Sequence, residues 1–111
     1  MKGAAEERPY YYDMDGNPIS STAASALFRD INYRRVAQDM VNGLDVSTVL
    51  LVFDHQFLDD SPPLIFETMI FGLGEDEEKY QERYSTKEEA LAGHAVAIEF
   101  ATQYKKKEAA E

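Results

Sequence analysis

Cysteine is absent from the 111 residues. That excludes disulfides, thiolate metal sites and thiol chemistry, and it fits a chain kept in a reducing cytoplasm. No early apolar segment of the signal-peptide kind is present, so export by that route is not expected. Long apolar runs are missing too. The longest covers residues 49–53, far short of the roughly 20 that a membrane helix needs. Positive charge is scarce: 11 Lys and Arg face 21 Asp and Glu, a formal net charge of −10. That balance opposes unaided binding to DNA, RNA or anionic lipid. What is there is 44% apolar and 12% aromatic, enough for one real core and too short a chain for two.

Residues 1–9 mix small and charged types without period and read as a flexible N-terminal arm. Residues 105–111 form a charged C-terminal tail, leaving residues 10–104 as a single domain. Tyr10, Tyr11 and Tyr12 favour a short edge strand, which Asp15, Gly16, Asn17 and Pro18 end with a turn. Ser20, Ser21 and Thr22 each offer an N-cap. Ala24, Leu27, Phe28 and Ile31 then recur at helical spacing, predicting a helix of about three turns that stops near Asn32.

Two β-rich runs, residues 34–41 and 44–54, flank Asn42-Gly43, the pair that supplies both positive φ values of a type I′ hairpin. The second run begins alternating and ends continuously apolar, which predicts a central strand beneath a helix. A third strand is expected over residues 64–71 and a fourth over residues 80–84, where Tyr80, Glu82 and Tyr84 share a face. Pro62 and Pro63, with no backbone N–H, belong to the loop before the third strand.

Ser85-Thr86-Lys87-Glu88 has the form of a capping box, with Ser85 as N-cap and Glu88 reaching back. It predicts a helix over residues 86–104 whose stripe is Leu91, His94, Ala95, Ile98 and Ala101, with Val96 and Phe100 beside it. So broad an apolar surface exceeds what one sheet face covers, which makes Val96 and Phe100 candidates for self-association. The expected fold is α+β, with an antiparallel sheet of three to four strands, helices packed on one face and the order (β)αββββα. Its central αβββα order is similar to that of the double-stranded-RNA-binding domain. That module needs a Lys cluster at its last helix, where this chain has Lys87, Glu88 and Glu89.

Four stretches carry a second likeness: Val46-Ser47-Thr48-Val49, Asp54-His55, residues 63–69 (Pro63 through Glu67 and Thr68 to Met69), and Glu82-Arg83-Tyr84-Ser85-Thr86 through Gly93-His94. With the aromatic pair and Asp-Gly turn near the start, these resemble a family of small proteins encoded by tailed bacteriophages and prophages. The resemblance covers roughly residues 11–95. It implies a phage-encoded accessory protein in the host cytoplasm. The family has no settled activity, so no catalytic residue carries over. The chain departs from it at Gln56-Phe57-Leu58-Asp59-Asp60, where a Gly-rich stretch is usual, and in the acidic block at Glu75.

Candidate chemistry is sparse. Asp54, His55, Glu67 and His94 are ligand types for zinc or manganese, which require convergence within about 2.0–2.2 Å of one ion. Asp54 and His55 are adjacent and point apart on an extended segment, and no His-x-x-x-His or His-x-His spacing occurs. His55, Glu67 and His94 therefore stand as weak metal candidates, and no cofactor is expected. The plainer expectation for His94 is a hydrogen-bonded residue at the core margin. For Glu67 it is a carboxylate on the open sheet face, bonded across strands to Arg34, Arg35 or Arg83. Ser47, Thr48, Ser85 and Thr86 lie in no nucleophile elbow, and Gly72-x-Gly74 precedes acids that repel phosphate.

The acidic loops are the remaining signal. Asp59 and Asp60, with the run Glu75, Asp76, Glu77 and Glu78, are expected to steer a basic protein partner, with Tyr80 and Tyr84 as adjoining contacts. The same acids also serve plain solubility. Three functions follow as expectations. The first is a phage accessory protein acting by protein–protein interaction, as inhibitor or charge mimic against a host nucleic-acid-handling protein. The second is a self-associating assembly protein, and the third a metal-dependent hydrolase.

Overall fold

Asn42 and Gly43 adopt φ of 55° and 77°, the pair of left-handed conformations a two-residue hairpin requires. The hairpin they close joins β3 (Arg35–Val41) to β4 (Leu44–Leu50). A computed structural model describes residues 9–56, 61–74 and 80–105. Beyond the hairpin, β5 (Phe66–Phe71) and β6 (Tyr80–Tyr84) complete an antiparallel sheet in the order β3-β4-β5-β6. The α+β class and the element order match the sequence reading.

Strand β4 alternates strictly, with Leu44, Val46, Thr48 and Leu50 buried and the residues between them half-buried. Register carries this inward face across the sheet: Asp39 lies opposite Val46, Thr48 opposite Thr68, and Phe66 opposite Tyr84. The long helix α3 (Lys87–Gln103) covers that face. Its buried residues are Ala90, His94, Ala97 and Ala101, spaced by four, three and four. Three alanines let the helix lie close to the sheet, and His94 is the one large side chain beneath it.

This corrects the expected stripe. Leu91 and Ala95 are exposed, because the helix seats Ala90, Ala97 and Ala101 on the sheet and so rotates positions 91 and 95 off it. The cap is also displaced by one residue. Thr86, not Ser85, is the N-cap: its side chain accepts from Glu89 N–H while Glu89 accepts from Thr86 N–H and Ser85 N–H. Both frames fit the capping-box pattern. At the far end of α3, the Asn42 side-chain amide donates to the Ala101 and Tyr104 carbonyls at 3.1 and 2.8 Å. The hairpin tip thus serves groups that a helix C-terminus leaves without partners.

Tyr11–Tyr12 (β1) and Pro18–Ile19 (β2) form a separate two-stranded ribbon around Gly16. The helix that follows is not one element of three turns. α1 (Ser21–Phe28), capped by Ser20, ends at Phe28, and Asp30 caps a second, single-turn helix, α2 (Ile31–Arg34). The break is stabilised locally, since Asp30 accepts from Tyr33 N–H and the Arg34 guanidinium donates to the Phe28 carbonyl. Ile31, expected on the face of Ala24 and Leu27, is exposed. Ala24 joins Leu50, Phe66 and Ala90 in one apolar cluster, so α1 abuts the helix-covered side of the sheet.

Val52 has φ of 77° although it is β-branched and buried. For such a residue this is strained backbone, costing on the order of 1–3 kcal/mol. The twist occurs where the chain leaves the main sheet. Leu51 N–H still bonds to the Ile65 carbonyl, whereas the Val52 carbonyl accepts from Tyr12 N–H and Phe53 pairs with Tyr11. No helix among the described residues is long and apolar enough to cross a membrane.

Candidate functional site

Thr48 and Thr68 face each other on β4 and β5, both fully buried and hydrogen-bonded through their hydroxyls. His94 descends from α3 to place Nδ1 2.7 Å from the Thr48 hydroxyl and Nε2 2.8 Å from an Asp39 carboxylate oxygen. A carboxylate only accepts, so His94 Nε2–H donates to Asp39, while Nδ1, Thr48 and Thr68 share the hydrogen bonds of the buried end of the row. The row crosses the sheet and divides the core. Leu50, Phe66 and Ala90 lie in one apolar cluster, while Val46, Ile70 and Ala97 lie in the other.

Asp39, His94 and Thr48 have the connectivity of an orienting acid, a base and a nucleophile. Only the acid end meets solvent: the Asp39 side chain is 51% exposed, whereas Thr48 is sealed beneath the helix. A hydroxyl without access attacks no substrate. The arrangement instead fixes α3 over the sheet, because every polar atom drawn into the core needs its partner there.

Tyr84 borders the same row. Its hydroxyl is buried without a hydrogen-bond partner among the described residues and lies against Gly93, where an added methyl would overlap the hydroxyl and ring. Burial raises the Tyr84 pKa, opposed by Thr68 and assisted by Glu82; Tyr80 is raised by burial, then by Tyr84 and Glu82.

Glu67 lies on the other sheet face, where its carboxylate accepts from Arg83 at 2.9 Å and Gln81 at 2.7 Å across β5 and β6. Of the three Arg residues expected to partner it, Arg83 does so. Register therefore separates Glu67 from His94 by the thickness of the sheet. His55 sits elsewhere, its ring 4.2 Å from that of Phe53 and its Nδ1 donating to the Phe53 carbonyl. The three weak metal candidates do not converge, and no metal-holding cluster occurs among the described residues. Asp54 is buried in a structural position, accepting from Gln56 N–H and Leu64 N–H at the two ends of a loop.

Asp59, Asp60, Glu75, Asp76, Glu77 and Glu78 lie outside the described residues. Of the proposed contacts beside them, Tyr80 is half-buried and meets Phe100 in a tilted contact at 5.1 Å, and Phe100 stacks in turn on Tyr104 at 6.1 Å. Tyr84 points inward. On α3, Val96 (61% exposed) and Phe100 (44%) share one side, and Leu91 (47%) lies on the opposite flank of the buried stripe.

A second aromatic group escaped the sequence reading. Phe53 meets Tyr10 at 5.7 Å and Phe28 at 6.4 Å, while the Arg34 guanidinium sits 4.5 Å above the Phe28 ring. Phe28 and Phe53 are 25 residues apart, and helical spacing places Phe28 on one face with Ala24 and Leu27. The left-handed Val52 that aims Phe53 there leaves no mark in composition or period.

Against family profiles, curated proteins and solved structures, the chain matches none.

Proposed function

We propose that the chain is a small accessory protein that acts by protein–protein interaction, of the type encoded by tailed phages and working in a host cytoplasm, and that its target is a basic protein. The observation that carries this reading is the Tyr80–Phe100–Tyr104 aromatic cluster, whose Tyr80 follows closely in sequence on the acids at positions 75–78. Aromatic anchors beside an anionic run combine desolvating contact area with steering of a cationic partner. A target that handles nucleic acid is the natural basic partner, and the chain's own charge keeps it from binding nucleic acid directly.

The test is a tagged pull-down from bacterial lysate at low and high salt, alongside charge reversal at Glu75, Asp76, Glu77 and Glu78 and the variant Phe100→Ala. One stoichiometric basic protein, lost at high salt and in both variants, is expected. Recovery that ignores the charge reversal overturns the reading, as does an empty pull-down.

A second reading is self-association through the side of α3 that carries Val96 and Phe100, favoured by their exposure. An antiparallel pairing of two such helices sets Glu88 and Glu89 of one copy near Lys105 of the other. Light scattering that finds a monomer at high concentration retires it.

A further inference from the structure

The chain holds three asparagines, and only Asn42 stands before a glycine. An asparagine amide is lost as ammonia when the backbone nitrogen of the next residue attacks Cγ, so the identity of that residue governs the reaction. Pro18 follows Asn17 and has no N–H. Tyr33 follows Asn32, and its N–H is bonded to the Asp30 carboxylate. Gly43 is open: nothing lies within 4 Å of where a side chain would begin, and both Asn42 and Gly43 are exposed. The strand register ends at the Val41–Leu44 pair, so the two turn residues stand outside the ladder.

What restrains Asn42 is the end of α3. Its Nδ2 donates to the Ala101 carbonyl at 3.1 Å and to the Tyr104 carbonyl at 2.8 Å, which commits the side chain to the helix terminus. That clasp sits on the part of α3 least able to hold itself. The last carbonyls of a helix lack intrahelical donors, and helix ends open far more readily than a core. The Tyr104 N–H reaches the Ala101 carbonyl only at 3.3 Å. Both bonds of the clasp, moreover, are donated by Nδ2, the atom that deamidation removes.

We propose that Asn42 is a self-modifying site whose deamidation permanently unclasps the C-terminal end of α3 from the hairpin. When that end frays, the Gly43 nitrogen attacks Asn42 Cγ and gives up its proton; the Cγ–Nδ2 bond breaks and ammonia leaves, closing a succinimide ring. Water adds to either ring carbonyl and opens it to aspartate or isoaspartate. Neither product has a side-chain donor for the Ala101 and Tyr104 carbonyls. The new negative charge faces the negative end of the α3 dipole, and isoaspartate adds a methylene to the backbone of a tight turn. Lys105 follows Tyr104 but is exposed, and an exposed ion pair is too weak to replace the two bonds. The inference goes beyond the protein–protein reading and stands without it, although Tyr104 also carries one ring of the Tyr80–Phe100–Tyr104 cluster.

The test is ageing of the full folded chain at mildly alkaline pH, beside the same chain in urea, with peptide mass spectrometry at each asparagine. Conversion is expected at Asn42 ahead of Asn17 and Asn32, and several-fold more slowly in the folded chain, because the clasp must open first. The converted protein is more acidic and separates by anion exchange. Its amide hydrogen exchange over residues 98–104 should be at least several-fold faster than in the unaged chain, while that of β4 and β5 is unchanged. Asn42→Asp should reproduce this. Asn42→Gly keeps the left-handed turn and loses the clasp without adding charge, so it should speed exchange at the α3 end by less, and it serves if the acidic variant does not fold. An Asn42 that stays intact in the folded chain while the urea sample converts overturns the proposal, as does conversion at the same rate in both. Exchange at the α3 end that is unchanged in the converted protein, or in Asn42→Gly, overturns the unclasping.

Discussion

His94 is the side chain on which the two halves of the core meet. Its removal strands the Thr48 hydroxyl under α3, takes a charge-assisted bond from Asp39 and opens a cavity between the alanines. His94→Ala is expected to cost on the order of 3 kcal/mol in urea unfolding, from the unmade buried bonds together with lost packing. Thr48→Val and Thr68→Val should each destabilise by about 1–2 kcal/mol, and the double variant by clearly less than their sum, since the two hydroxyls serve each other. Strict additivity would falsify the connected row.

Tyr84 gives a pH-dependent counterpart. Its folded pKa is raised above the ordinary value of 10.0, first by burial. The neutral phenol is therefore the form the fold prefers. Its contribution is complete below about pH 10 and is lost as pH rises through the folded value, when the unfolded chain has already ionised. Absorbance titration of the folded protein should show late-ionising tyrosine that Tyr84→Phe removes. If that variant leaves the titration curve unchanged, the buried hydroxyl is misassigned.

At the scale of elements, the informative places are where one element hands over to the next. Val52 joins β4 to the ribbon at the strain of a left-handed β-branched residue, while its side chain fills the core as fully as that of Val46. Val52→Gly and Val46→Gly lose the same buried side chain, but only the first relieves strain. Thermal or urea unfolding is expected to show Val52→Gly as the milder change by at least about 1 kcal/mol. Equal losses would mean that the twist carries no strain.

The joins also explain what local patterns reveal. Asn42-Gly43 reads correctly because its signal is the backbone torsion of two adjacent residues. The break after Phe28 does not, because helical spacing from Ala24 to Ile31 continues through it; Asp30 and the reach of Arg34 to the Phe28 carbonyl end the helix. Likewise Ser85 with Glu88 and Thr86 with Glu89 are equally good capping boxes on paper, and docking of α3 on the sheet selects the second.

For the molecule as a whole, the two sheet faces have separate characters. One is covered by α3, while the other carries the Glu67–Arg83 pair and, four residues further along the strands, leaves Met40 and Phe71 exposed. Beyond the covered face, α3 turns Leu91, Val96 and Phe100 to solvent. Phe100→Glu is expected to leave the fold intact, because the side chain lies outside the core, and to abolish either partner capture or self-association. Circular dichroism with light scattering and the pull-down distinguishes these outcomes. A Phe100→Glu protein that still captures its partner and keeps its oligomeric state removes this face from both readings.

The sequence by itself determined the α+β class, the element order, the hairpin at Asn42-Gly43 and the inward alternation of β4, because each rests on torsional preference or on a period within a few residues. It also set the formal net charge of −10. Tertiary structure alone decided that Asp39 reaches His94 across 55 positions, that Arg83 rather than Arg34 or Arg35 meets Glu67, and that Phe28 meets Phe53. Those pairings follow from strand register and from the close docking of an alanine-faced helix. Register places Glu67 and His94 on opposite sides of one sheet, a separation that residue types and spacing cannot express.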